Sequence, residues 1–278
     1  MTLAKEVTAV DVWMQPGTEF FLNGPMFESL RRWARLPSPV PAIPIEATIE
    51  QMDEASVGFA MLSAWWGPAG PIITNDEIAE IVSRWPQRFA GVAAVDLLRP
   101  TEAVRELRRC VRDLGFKALR VVPWLWGLPP NDRHYYPLYV ECVDLGIPFC
   151  YQTGHTGPMA VSDTGRPIPY IDEVALTFPE LVIVGGHIGY PWTEEMIAIA
   201  RKYPNVYIDT SAHVPSRYPE EFARYLRGSG QDKVLFGTNY PMIPLKRCVE
   251  EVDALGLDED ARRKFLRDNA VRVFKLEG

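Results

Sequence analysis

The sequence is short of the residues on which several kinds of chemistry depend. Its 278 residues include only four histidines and four cysteines. Cys110, Cys142, Cys150 and Cys248 form no C-x-x-C pair, so a disulfide framework is not expected. Buried thiols in a reducing compartment are. There is no surplus of positive charge. The 29 Lys+Arg against 36 Asp+Glu leave a net charge of -7, without the basic stripe that a nucleic-acid partner would select. No apolar run approaches the roughly 20 residues needed to span a bilayer, and residues 1–6 lack the apolar stretch of a signal peptide. A cytoplasmic protein with neither membrane nor nucleic-acid partners is the expectation. No strand-like run is followed by G-x-G-x-x-G, which removes the main sign of a dinucleotide site.

What is present is a well-populated core. The chain is 47% hydrophobic and 23% charged, which excludes global disorder. Apolar, β-rich runs recur at 7–13, 57–65, 89–96, 116–122, 147–152, 181–187, 206–211 and 233–238. They are continuous rather than alternating, as strands covered on both faces are. Amphipathic segments lie between them. One opens at Thr101-Glu102-Ala103 and runs to Asp113 with Val104, Leu107 and Val111 on one face. Another opens at Asn75-Asp76-Glu77 and ends at Trp85. The alternation predicts an α/β fold, a single closed (β/α)8 (TIM) barrel over residues 1–278. The Pro-rich segment 36–44 falls between the first two runs. It is therefore read as a rigid excursion over the barrel mouth, inside a lid-like insertion spanning about 14–48.

In such barrels the reacting groups sit at the C-terminal ends of strands. That rule selects Asp11, Trp13 and Gln15 on the first strand, Gln152 and His155 on the fifth, and His187 on the sixth. It adds Asp209 and His213 after the seventh and Asn239 after the eighth. Asp11 and Asp209 are carboxylates on apolar strands. Such groups are either paired or held as an acid/base with a raised pKa. His187 and His155 each lie between glycines; His213 is placed at the rim and His134 at a helix start. Of Lys117 and Arg120, three apart on the fourth strand, alternation lets only one point inward. Trp65-Trp66 and Trp124-Leu125-Trp126 read as mouth-lining or interface aromatics.

Four motifs carry a family resemblance: Ala9-Val10-Asp11-Val12-Trp13-Met14-Gln15-Pro16, Gly185-Gly186-His187-Ile188-Gly189, Val206-Tyr207-Ile208-Asp209-Thr210-Ser211 and Val234-Leu235-Phe236-Gly237-Thr238-Asn239-Tyr240-Pro241. In this order, at these strand ends, the chain resembles the amidohydrolase-related barrels of the decarboxylase and lactonase type. The resemblance implies a divalent metal held by a first-strand His-x-His, a fifth-strand His and an eighth-strand Asp. The sixth-strand His then positions substrate or moves protons. Hydrolysis or non-oxidative decarboxylation follows. Here the matching positions carry Trp13, Gln15, Gln152 and Asn239; His187 alone is at its place. Indole offers no lone pair and amide oxygens are weak ligands. No metal is expected at the family position, and His155 with His187 would be the ligands if one bound.

Two functions compete. In the first, a barrel with a degenerate metal site is a non-catalytic or accessory subunit of a hetero-oligomer. Its related partner barrel then carries the Zn, Mn or Fe. This reading is similar to the smaller subunit of two-component amidohydrolase-related monooxygenases of the 2-aminoisobutyrate hydroxylase type. In the second, the chain is itself a hydrolase or decarboxylase on a small carboxylate or lactone. It is then metal-independent or uses an altered site around His155 and His187. Its catalytic residues are His187 with Asp209 or Asp11 as acid/base, and Trp13, Gln15, Gln152, His155, His213 and Asn239 line the pocket.

Overall fold

Apolar runs without alternation become strands only where both faces find cover, and eight of them do so in one sheet. The computed structural model describes residues 8–276. Ten strands form: β1 (Val10–Met14), β2 (Phe59–Ser63), β3 (Trp65–Gly67), β4 (Gly70–Ile73), β5 (Phe89–Ala93), β6 (Ala118–Val121), β7 (Phe149–Gln152), β8 (Ile183–Gly186), β9 (Val206–Asp209) and β10 (Val234–Leu235). Eight pair in parallel in the order β1-β2-β5-β6-β7-β8-β9-β10, with helices between them, so the expected (β/α)8 barrel is the fold. The strands are shorter than the runs that encode them. The expected start of the first run at Val7 lies outside the described residues.

Two features were not anticipated. The run 57–65 does not end in a loop but continues into an antiparallel hairpin, β3–β4, whose turn at 68–69 is followed by Gly70 at φ 113°. The second is the closing seam. β10 has two residues, too few for a ladder, and the barrel shuts through single bonds. Val12 N–H donates to Phe236 O at 3.0 Å, Asn239 N–H to Trp13 O at 2.8 Å and Gln15 N–H to Tyr240 O at 3.1 Å. The Asp11 carboxylate completes the closure, accepting from Trp13 N (2.9 Å), Thr238 N (3.1 Å) and Thr238 Oγ1 (2.5 Å).

The barrel interior is filled by small and branched side chains such as Val10, Val12, Val92, Ala118 and Val184. Phe274 and Leu276 at the chain end join this cluster. Helices bury their apolar stripes against the outer faces. On Pro100–Arg112 the stripe is Ala103, Leu107 and Cys110, flanked by Val104 and Val111. Helix Asn75–Arg84 starts from a capping box, Glu77 N–H to Thr74 Oγ1 and Thr74 N–H to Glu77 Oε2. All four cysteines are free and buried. Among the described residues no helix is long and apolar enough to cross a membrane.

The connection between β1 and β2 contains helices Glu19–Leu22, Glu28–Ala34 and Ile45–Glu54, with 36–44 irregular. That segment is pinned where Asn23 exchanges two hydrogen bonds with the Val40 backbone and Ile43 N–H meets Gly17 O. Ser29 Oγ also donates to Gly157 O at 2.8 Å, in the loop after β7. The first and fifth strands of an eight-stranded barrel lie opposite each other, and this contact joins the connections that follow them. Phe21 and Phe27 of the insertion pack edge-on against Trp65. That cover buries the tryptophan, and Trp124 and Trp126 are buried too. Burial at these three positions leaves little tryptophan surface for the interface alternative and does not bear on the mouth-lining one.

Candidate active site at the barrel mouth

Where β8 ends, the chain turns left-handed for three residues: His187 at φ 63°, Ile188 at φ 51° and Gly189 at φ 72°. A β-branched residue in this region is strained, at about 1–3 kcal/mol. Such strain persists only where the surroundings hold it. They do so here by close approach: a Cβ on Gly186 would lie 2.5 Å from Trp13 Cζ3 and 2.9 Å from Asp209 Oδ2. The turn brings the His187 ring against Trp13, with ring centroids 4.6 Å apart.

His187 is the end of a hydrogen-bond relay. Its Nδ1 lies 2.6 Å from Ser211 Oγ, and Ser211 Oγ donates to Asp209 Oδ1. Since the hydroxyl proton is committed to the carboxylate, Ser211 Oγ accepts from His187. The histidine proton then sits on Nδ1 and Nε2 keeps its lone pair. Burial pushes the His187 pKa well below its usual range, and the neighbouring charges of His213, Arg120 and His155 push the same way. Burial raises Asp209, opposed by the Ser211 hydroxyl and by Arg120. The arrangement is a neutral imidazole base backed by a buried acid.

Under this relay lies Arg120. Of the Lys117/Arg120 pair it is the inward one, while Lys117 is half-buried outside. A register irregularity in β1 between Asp11 and Met14 turns Trp13 inward. The Arg120 guanidinium stacks on its ring with Cζ 3.6 Å from the centroid. Arg120 Nη2 donates to Val12 O at 2.8 Å; Nε and Nη1 are buried without a hydrogen-bond partner, as are Trp13 Nε1 and Asp209 Oδ2.

The remaining expected residues fall into two groups and one outlier. Gln15 and Asn239 meet each other across the seam. Gln15 Nε2 donates to Asn239 Oδ1 (3.1 Å), Asn239 O (3.2 Å) and Tyr240 O (2.7 Å). Gln152 is buried at the end of β7, four strands away from β1 in the sheet. His155 is exposed and His213 half-buried, and the exposed Tyr190 ring stands between them at 5.8 and 5.7 Å. Burial and the charge of His155 lower His213 to about 4. The outlier is Asp11. Its oxygens are spent on the seam rather than turned to the relay, and burial raises it to about 7. His134 precedes helix Tyr136–Leu145 and pairs with Asp132 at 2.5 Å. Reasoning from strand ends did not single out Ser211 or Thr238. The signal was present for Ser211, two residues past Asp209, a spacing at which a carboxylate bonds both the backbone and the side chain of its neighbour.

Comparison with known proteins yields matches over most of the chain. The family model described as Amidohydrolase matches residues 29–276. The gamma-resorcylate decarboxylase of Rhizobium radiobacter is 27% identical over 256 residues, covering 73% of this chain and 75% of that protein. Among solved structures, the uncharacterized TIM-barrel protein Bb4693 of Bordetella bronchiseptica superposes with a TM-score of 0.84 at 27% identity, over 96% of this chain and 98% of that one. The dihydroxybenzoic acid decarboxylase of Polaromonas sp. JS666, solved with bound manganese and 2-nitroresorcinol, shares the fold at a TM-score of 0.69 and 21% identity, over 99% and 98% of the two chains.

Proposed function

This chain belongs to the amidohydrolase family, and on that premise we propose that it is a decarboxylase of small aromatic or unsaturated carboxylates. In this reading it moves protons through His187 and does not rely on a divalent ion in the first-strand pocket. The observation that carries the reading is the Asp209–Ser211–His187 relay at the C-terminal end of β8 and β9. The decarboxylase relative supports the substrate class.

A metal of the kind bound by the manganese-containing neighbour was tested against the residues present. At the four family positions Trp13 has no lone pair to give, Asn239 Oδ1 is taken by Gln15 Nε2, and Gln15 Oε1, buried without a partner, is a neutral amide oxygen and a weak ligand. Gln152 is neutral, which leaves His187 Nε2 as a lone imidazole donor among these positions. Among the described residues no three His, Cys, Asp or Glu side chains are grouped to hold an ion. The donor set does not fit such an ion.

His187 Nε2 can instead take a proton from a substrate hydroxyl, as Asp209, through Ser211, stabilises the imidazolium that forms. The same proton returns to the ring carbon bearing the carboxylate as the C–C bond breaks and CO2 leaves. The phenolate product has then gained a C–H bond and lost its O–H proton, and His187 is again neutral. The test is CO2 release by the chelator-treated chain from a panel of hydroxybenzoates and unsaturated carboxylates that includes 2,6-dihydroxybenzoate. His187→Ala is expected to lower kcat by about 10²-fold or more. No release from any member of the panel would overturn the reading.

An accessory role beside a related metal-bearing barrel is the second reading, favoured by the donor set alone. The decarboxylase relative weighs against it, and none of the proteins compared above supports the monooxygenase subunit. Co-expression with such a barrel separates the two. A chain that elutes alone and turns over the panel removes the partner from the account.

A further inference from the structure

Arg120 carries a buried charge that no carboxylate meets in direct contact among the described residues. It is 3% exposed and has no carboxylate within ion-pair distance among the described residues. Its hydrogen bonds go to the neutral Val12 carbonyl and the Cys150 side chain, not to a carboxylate. A guanidinium does not shed its proton, and a buried charge without a partner is costly. The Trp13 face repays part of that cost. Asp11 and Asp209 add attraction from a distance, and Cys150 lies beside it. A leucine would fill this space without the penalty. The charge itself is therefore the feature to explain.

Its position supplies the explanation. Trp13 stands at the sequence position of the first histidine of the family's His-x-His pair. Its ring touches both the guanidinium, 3.6 Å from the centroid, and the His187 ring, at 4.6 Å, and Gly186 lies close to both the Trp13 ring and Asp209 Oδ2. We propose that Arg120 is the barrel's built-in cation. It supplies the charge opposite Asp209 that a bound divalent ion supplies elsewhere, and it thereby bars such an ion from the first-strand pocket. The substitutions at Trp13, Gln15 and Asn239 remove the ligands, and Arg120 removes the electrostatic vacancy. Restoring ligands alone then does not restore metal binding.

The experiment grafts Trp13→His, Gln15→His and Asn239→Asp onto the full chain, with Arg120 retained or replaced by Met, and titrates Mn2+ by calorimetry. The graft that keeps Arg120 is expected to bind Mn2+ at least about tenfold more weakly than the graft with Arg120→Met, because a nearby like charge opposes a divalent ion by more than one factor of ten. Arg120→Lys in the graft should stay weak. Equal affinity with Arg and Met overturns the proposal. Circular dichroism establishes that each variant is folded. Should the graft not fold, the His187 titration followed by NMR in Arg120→Met alone decides: an upward shift that Arg120→Lys does not show supports the cation role, and an unchanged titration overturns it. Both readouts are independent of turnover, so the decarboxylase reading can fail while this one stands.

Discussion

Replacing Asp11 with Ala should destabilise the protein by opening the barrel at its seam. The carboxylate accepts two backbone amides and one hydroxyl, and Trp13 and Thr238 are both fully buried. Water cannot easily take over. Each abandoned buried donor costs about 1–3 kcal/mol, so the two amides alone imply about 2–6 kcal/mol. For a domain of this size that is a fall of on the order of 5–15 °C in Tm. The effect should also depend on pH. Burial raises the folded carboxyl to about 7 from an ordinary 3.8, so the folded state holds the proton more tightly than the unfolded chain. The stability gained from protonation is full below about 4 and is lost as pH rises through about 7, with a slope of at most about 1.4 kcal/mol per pH unit. Urea melts between pH 5.5 and 8.5 measure both effects. Asp11→Asn, which does not titrate, should flatten the pH slope while keeping part of the closure. If Asp11→Ala lies within about 1 kcal/mol of the wild type, or if the slope survives in Asp11→Asn, the seam does not depend on this side chain.

The site makes further predictions. Gly186→Ala forces a methyl into Trp13 and Asp209. It should cost about 1–3 kcal/mol in urea melts, and Trp13→Ala should relieve part of that cost in the double variant. Ser211→Ala cuts the link between His187 and Asp209; kcat for CO2 release should fall about 10- to 100-fold with KM little changed. Because burial and nearby charges keep His187 neutral, kcat/KM should stay flat from pH 6 to pH 8. A fall centred near the usual histidine range would show that the working base is a different group.

The barrel was legible because its strands are covered on both faces, which leaves runs that are apolar throughout and evenly spaced. The strand-end rule also found His187 and Asp209. What it could not supply was the parity of inward and outward residues where β1 is irregular. Asp11 is therefore drawn outward to the seam, while Trp13, two residues on, points in. Arg120 and Lys117 were indistinguishable for a related reason, since strand periodicity separates the two faces without saying which is inside. The Thr238–Asp11 bonds join residues 227 apart and leave no local pattern. The burial of Trp65 had no local signal because its cover, Phe21 and Phe27, arrives from a different segment. β3 and β4 were hidden because Trp65-Trp66 prolongs the apolar run of β2.

The connection from β1 to β2 is fastened to the loop after β7 by the bond from Ser29 to Gly157. It thereby links two loops that the sheet keeps four strands apart. A change at Ser29 then reaches the loop that carries His155, although the two residues are far apart in the sequence and on different strands of the barrel.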